Sequence, residues 1–148
     1  MFTILFKDRI FLFLSLLLFL SGCGFWENFT TYFNLYYNAD DLFEKAEEQI
    51  LEQKKDLFST EPPAISGNAA SDLQKVIEKC SNILQFSPNS AYVDDALMML
   101  GKSFYYQKSY LKSKRKFEEL ISTQPESGYL LEANLWIGKC EMRLNNYP

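Results

Sequence analysis

After residue 24, apolar positions in this chain recur every three or four residues, which is the spacing of amphipathic helices. Phe25, Phe29, Tyr32, Phe33 and Tyr36, continued by Leu42, Phe43, Ala46 and Ile50, predict one long helix over 25–58. Pro62, Pro63, Gly67 and Asn68 mark a loop over 59–70. Ser71-Asp72-Leu73-Gln74 has the Ser-x-x-Gln form of a capping box. A helix from Ser71 to about Phe86 would carry Leu73, Val76, Ile77, Cys80, Ile83 and Leu84 on one face before Pro88 stops it. Three further helices are expected: from Ser90 or Asp94 to about Gln107, from about Tyr110 to Ser122 ahead of Pro125, and from about Ser127 to Leu144. No stretch carries a convincing strand pattern, so the expected fold class is all-α.

The beginning of the chain follows a different rule. Ile10 to Leu20 is an apolar run broken only by Ser15, preceded by Lys7 and Arg9. It is shorter than the roughly 20 residues a spanning helix needs and has the shape of a signal-peptide core. It ends in Leu20-Ser21-Gly22-Cys23, which resembles the bacterial lipobox. That resemblance implies cleavage after Gly22 and acylation of Cys23 by diacylglycerol and palmitate-type chains, so residues 1–22 are expected to be a lipoprotein signal peptide. Acyl chains contribute about 0.8 kcal/mol per buried CH₂, enough for two or three of them to hold the protein on a membrane without a spanning helix. Gly24 stands where enterobacterial lipoproteins retained in the inner membrane carry Asp, so the resemblance points to the outer membrane, with the protein facing the periplasm.

The C-terminal half repeats. A shift of 37 residues aligns Pro88 with Pro125, Ser90 with Ser127, Tyr92 with Tyr129, Ala96 with Ala133, Gly101 with Gly138, Lys102 with Lys139 and Tyr110 with Tyr147. A fixed period of this size, with two helices in it, predicts an α-solenoid of stacked helix pairs. Gly101 in mid-helix costs about 1 kcal/mol relative to Ala, so a packing reason is expected: the partner helix comes close there, with Ser113 as its small contact and Phe104 and Phe117 filling the space between. Tyr147 lies where the second helix of the next pair would begin, so the pattern implies a solenoid cut within a pair. Leu135, Trp136, Ile137 and Leu144 would then be left partly uncovered.

Leu97, Leu100, Gly101, Phe104, Tyr110, Ser113, Phe117 and Pro125 are spaced as in the tetratricopeptide (TPR) repeat, and residues 71–148 resemble that family. Leu120 stands where the family prefers Ala, Glu141 replaces the aromatic seen at Phe104, and the period is 37 rather than 34. The pattern Pro-x-Ser-x-Tyr-x-x-x-Ala together with the lipobox resembles the TPR lipoprotein of the outer-membrane β-barrel assembly machinery and related envelope TPR lipoproteins. Residues 25–41 look more like the start of long TPR lipoproteins of gliding motility and secretion. The resemblance implies a lipid-anchored scaffold that binds envelope proteins or their peptide segments, alternatively the N-terminal part of a longer lipoprotein whose activity lies beyond residue 148. In this family ligands lie in a concave groove lined by the first helix of each pair. Carried over residue by residue, partner-binding positions are Asp95, Met98, Lys102, Tyr105 and Tyr106 in one unit and Glu132, Leu135, Lys139, Met142 and Arg143 in the next.

Composition narrows the chemistry. The chain holds 148 residues with 15 basic and 19 acidic side chains, no His and three Cys. Cleavage before Cys23 leaves 126 residues with 13 basic and 18 acidic side chains, a balance opposed to general nucleic-acid binding. Absent His and too few Cys remove His-based catalysis and Cys₄ zinc sites. The adjacent pairs Glu47-Glu48, Asp94-Asp95 and Glu118-Glu119 do not face each other on a helix. No enzyme activity, cofactor, metal or small-molecule substrate is therefore expected. Cys80 and Cys140 fall on apolar faces, as free buried thiols or as a disulfide. Lys112, Lys114, Arg115 and Lys116 form a basic cluster, read either as a solvated face or as a surface for anionic headgroups. Seven aromatics between Phe25 and Tyr37 either pack beneath the first repeat or meet the membrane interface.

Overall fold

The computed structural model describes residues 28–53, 65 and 67–144. The signal segment, Cys23, Phe25, Trp26, residues 54–64 and the end from 145, including Tyr147, lie outside the described residues. Five α-helices account for most of what is described: α1 Tyr37–Leu51, α2 Asn68–Phe86, α3 Val93–Tyr106, α4 Tyr110–Thr123 and α5 Leu130–Leu144. A helical turn over 28–31 and a π-helical segment, Tyr32–Tyr36, lead directly into α1. Among the described residues there is no strand.

Each helix packs on its neighbour in sequence, and α3 also touches α1 and α5. Two layers result, α1, α3 and α5 in one and α2 and α4 in the other. The links α2–α3, α3–α4 and α4–α5 are short, which makes their helices antiparallel neighbours. Buried apolar side chains follow the helical stripe: Ala39, Phe43, Ala46 and Ile50 on α1; Leu73, Val76, Cys80 and Ile83 on α2; Phe117 and Leu120 on α4. The central helix α3 is different. Ten of its fourteen residues are buried, because it has neighbours on nearly every side.

The 37-residue period is visible in the hydrogen bonds. Ser90 Oγ accepts the Tyr92 N–H at 3.2 Å, and Ser127 Oγ accepts the Tyr129 N–H at 3.2 Å. The backbone bonds Ser87 to Ile83, Ser90 to Ser87 and Ala96 to Tyr92 recur as Gln124 to Leu120, Ser127 to Gln124 and Ala133 to Tyr129. Pro88 and Pro125 sit in equivalent turns between them. The sequence repeat is thus a repeat of local backbone geometry.

Gly101 has the packing reason its position demands. A Cβ there would lie 2.4 Å from the Phe117 ring, and Ser113 Oγ donates to the Gly101 carbonyl at 2.7 Å. Cys140 Sγ in turn donates to Ser113 Oγ at 3.2 Å, which ties α5 into the same contact. Gly138, its counterpart one period later, meets nothing within 4 Å among the described residues.

Several element ends differ from the sequence expectation. α2 begins at Asn68, a turn before Ser71, and Gly67 at φ +60° precedes it with no side-chain cap. Ser71 and Gln74 are exposed helix surface and no capping box forms. The early start is favoured by Ala69, which is buried in the core and extends the apolar stripe backward. α3 starts at Val93 and α5 at Leu130, because the preceding residues form a turn in which the Ser hydroxyl accepts the Tyr N–H, at Ser90–Tyr92 and at Ser127–Tyr129. The link α3–α4 closes through Lys108 at φ +58°, with Lys108 N–H donating to the Tyr105 carbonyl and Ser109 N–H to that of Phe104, both at 2.9 Å. This is a Schellman ending in which Lys occupies the position that favours Gly.

Candidate functional site

The layer formed by α1, α3 and α5 carries all ten partner-binding positions expected from the repeat. Its centre is Lys102. The ammonium group lies 3.0 Å from Glu132 Oε1 on α5 and 3.8 Å from Glu47 Oε1 on α1, so one cation on the middle helix reaches both flanking helices. Tyr106 OH donates to Glu47 Oε1 at 2.6 Å and Trp136 Nε1 to Glu132 Oε1 at 3.1 Å. Lys102 Nζ also lies 5.7 Å from the Phe43 ring centre and 5.6 Å from that of Trp136, and Lys139 Nζ lies 3.7 Å over the Trp136 ring. Burial alone would push Glu132 up, but the hydrogen bonds from Lys102 and Trp136 and the charges of Lys102 and Lys139 hold it below the ordinary glutamate value. Burial, with the bond to Glu47, pushes the Tyr106 hydroxyl far up, so it stays a donor.

A second cross-link lies toward the start of α3. Tyr129 OH donates to Asp95 Oδ1 at 2.6 Å and Ser127 Oγ to Asp94 Oδ2 at 2.7 Å. Burial raises the Asp95 carboxyl, the Tyr129 hydrogen bond opposes it, and the charge of Asp94 adds to the rise. Tyr36 stacks on Tyr92 at 4.4 Å nearby. Its hydroxyl is pushed up to about 12, chiefly by burial and then by the charges of Asp95 and Asp40.

The ten positions do not form two equivalent stripes. Met98, Tyr105 and Tyr106 are buried, the two tyrosines edge-on to Trp136 at 5.0 and 6.1 Å. Asp95 is engaged by Tyr129 and Lys102 by its two carboxylates. In α3, then, this stripe is packing surface, because α1 and α5 close over it from both sides. In α5 the stripe is open: Leu135 is 60% and Met142 66% exposed, while Glu132, Lys139 and Arg143 are partly so. Any ligand contact in this arrangement would fall on the α5 set and the charged edges of α3.

Glu47, Phe43, Trp136 and Tyr129 complete this layer and were not among the expected site positions. Tyr129 could have been found from its pairing with Tyr92 in the repeat. Glu47 could not, since it belongs to a segment outside the period.

Elsewhere the remaining candidates resolve into structure. Cys80 and Cys140 are both free and buried, and burial pushes both thiols up. In the basic cluster, Lys114 pairs with Glu141 at 2.9 Å and Glu118 at 3.7 Å, Lys116 with Glu119 at 2.7 Å, and Lys112 lies over the Phe104 ring. Glu141, the departure from the aromatic pattern, thus serves as the counter-ion of α4. A shallow concavity at the end of α1 is lined by Glu44, Glu47, Glu48, Leu51 and Glu52. Among the described residues no group of His, Cys, Asp and Glu is placed to hold a metal ion, and no helix is long and apolar enough to cross a membrane.

In comparisons with known proteins, the chain matches no family model, no curated protein and no solved structure.

Proposed function

We propose that this protein is a lipid-anchored scaffold of TPR-like helix pairs, held at the bacterial outer membrane through Cys23 and facing the periplasm. It recruits envelope proteins or peptide segments of them, in processes such as outer-membrane protein assembly. It carries no catalytic mechanism of its own and acts by position. The observation that supports this reading best is the repeated helix pair whose turns reuse the same hydrogen bonds 37 residues apart. Stacked units of this kind expose an extended layer suited to long, shallow ligands.

Of the ten expected positions in that layer, Leu135, Lys139, Met142 and Arg143 are the accessible ones, with Glu132 beside them. Leu and Met supply adaptable apolar contact, and Lys139 and Arg143 supply charge for a peptide carboxylate. A photo-crosslinking residue at Leu135 or Met142, in membrane-anchored protein, should capture a discrete envelope partner. Lys139→Glu should weaken that capture without changing helicity. Equal capture by wild type and Lys139→Glu, and by a control residue at Arg115 on α4, would remove the reading.

One observation favours a second reading, that this chain is the N-terminal part of a longer envelope, secretion or motility lipoprotein. Leu131, Leu135 and Met142 leave an apolar side of α5 uncovered, next to the open space at Gly138. On α3 the counterparts of Leu135 and Met142, which are Met98 and Tyr105, are buried. Mass determination of the native protein from its own cells distinguishes the two.

A further inference from the structure

The helical stretch 28–51 has two sides of different kinds. One side buries Thr31, Ala39, Phe43, Ala46 and Ile50, and Thr31 Oγ1 donates to Ser87 Oγ at 2.7 Å. The other presents Phe29, Phe33 and Tyr37, four residues apart and 46%, 57% and 56% exposed. Phe29 and Phe33 lie ring to ring at 4.8 Å, and Tyr32 meets Phe33 edge-on at 5.0 Å. With Tyr37 reached through the Tyr32 ring at 6.2 Å, these exposed rings are more than the scattered apolar residues of an ordinary surface.

The charge pattern indicates what covers them. From 28 to 39 there is no charged side chain, and the polar residues between the rings are Asn and Thr. Glu27 precedes this uncharged stretch, and beyond it charge resumes at Asp40 and Asp41 and continues through Glu44, Lys45, Glu47 and Glu48. Aromatic rings with uncharged polar neighbours suit the headgroup layer of a bilayer, whereas an acidic surface is repelled by anionic headgroups. The change at Asp40 is therefore a water line drawn on the helix. Chain length sets the distance from the anchor. Phe29 is six residues after Cys23, so the two lie within about 20 Å however the intervening residues run.

We propose that Phe29, Phe33 and Tyr37 lie in the headgroup layer of the membrane that holds Cys23, with Asp40 and Asp41 at its aqueous edge. This rests on the lipid-anchor reading above. Acyl chains alone retain the protein but leave it free to swivel. The aromatic stripe makes a second, non-covalent contact along the first helix, and so fixes which way the α1–α3–α5 layer faces.

The test uses the full chain expressed in its membrane. Phe33→Cys, Tyr37→Cys and the distant control Glu118→Cys are each labelled with an environment-sensitive fluorophore, Cys80 and Cys140 being buried. Membranes are then doped with phosphatidylcholine spin-labelled near the headgroup. Quenching at 33 and 37 several-fold steeper than at 118, with blue-shifted emission, is the expected result. Quenching at 33 and 37 no steeper than at 118 overturns the inference, whether the sites are open to water or shielded by protein. Mass spectrometry of the N-terminus in the same preparation reports on acylation separately. Loss of the acyl mass would end the anchor reading while steep quenching at 33 and 37 still stood for the aromatic contact.

Discussion

Substituting the two equivalent glycines should have opposite effects. At Gly138 the added methyl group enters open space, so Gly138→Ala yields only the helix-propensity gain of about 1 kcal/mol. At Gly101 the same methyl group would lie 2.4, 2.5 and 2.9 Å from three atoms of the Phe117 ring. That ring cannot retreat easily, being fully buried and stacked on Trp136 at 6.0 Å and 17°. Overpacking of this kind costs about 1–3 kcal/mol, and more where a rigid ring must move. Taking about 2–3 kcal/mol for a buried, stacked ring and subtracting the propensity gain of about 1 kcal/mol, Gly101→Ala should lose about 1–2 kcal/mol. In a thermal melt followed by circular dichroism, at roughly 3–5 °C per kcal/mol for a chain of this size, Gly101→Ala should melt about 3–10 °C lower and Gly138→Ala about 3–5 °C higher than wild type. Adding Phe117→Leu should turn Gly101→Ala from harmful to neutral or favourable, since the coupling belongs to that pair. If both glycine variants shift the melting temperature the same way by similar amounts, the close approach of α3 and α4 at Gly101 is wrong.

Other outcomes follow from the same geometry. Asp40 is raised by burial and by the charges of Glu44, Asp95 and Asp41. Its folded value therefore lies above its unfolded one, and its ionised form opposes folding at neutral pH. Asp40→Asn should melt higher than wild type at pH 7, and that gain should vanish as the pH falls through the raised value toward the ordinary aspartate range; a gain that persists below it would contradict the assignment. Lys108→Gly should raise stability by about 1 kcal/mol, because Lys holds the left-handed position at the end of α3, as a denaturant titration would reveal. Lys102→Glu would gather three carboxylates between α1, α3 and α5 and should lower the melting temperature far more than Lys139→Glu. Cys23→Ser should abolish acylation and change how the protein fractionates; an unmodified Cys23 in the wild-type mature N-terminus would refute the anchor.

The helices were legible because each must bury one stripe, and the spacing of Leu73, Val76, Cys80 and Ile83 leaves little choice of face. The role of Gly101 was legible for a related reason: a mid-helix glycine without conformational need implies a close neighbour. The start of α2 was not, because Gly67 supplied a backbone start that Ser71-x-x-Gln74 appeared to offer through side chains. The site was legible only in part. A helix in the middle of an array and one flanked on a single side have the same pattern but different exposure, so Met98 and Tyr105 are core where Leu135 and Met142 are surface. The counter-ions Glu47 and Glu132 depend on how helices far apart in sequence lie side by side, which no local period encodes.

The single ammonium group of Lys102 between Glu47 and Glu132 acts as a curvature gauge. In an array of repeats, alternate helices of one layer need not communicate, and bending can be shared out gradually along the length. Here one side chain of the middle helix meets both flanking helices, so α1 and α5 cannot splay apart or close up without changing those two distances. Lys102 thereby couples the spacing of all three helices of this layer. A ligand that competed for either carboxylate would change the shape of the whole surface as well as occupy it.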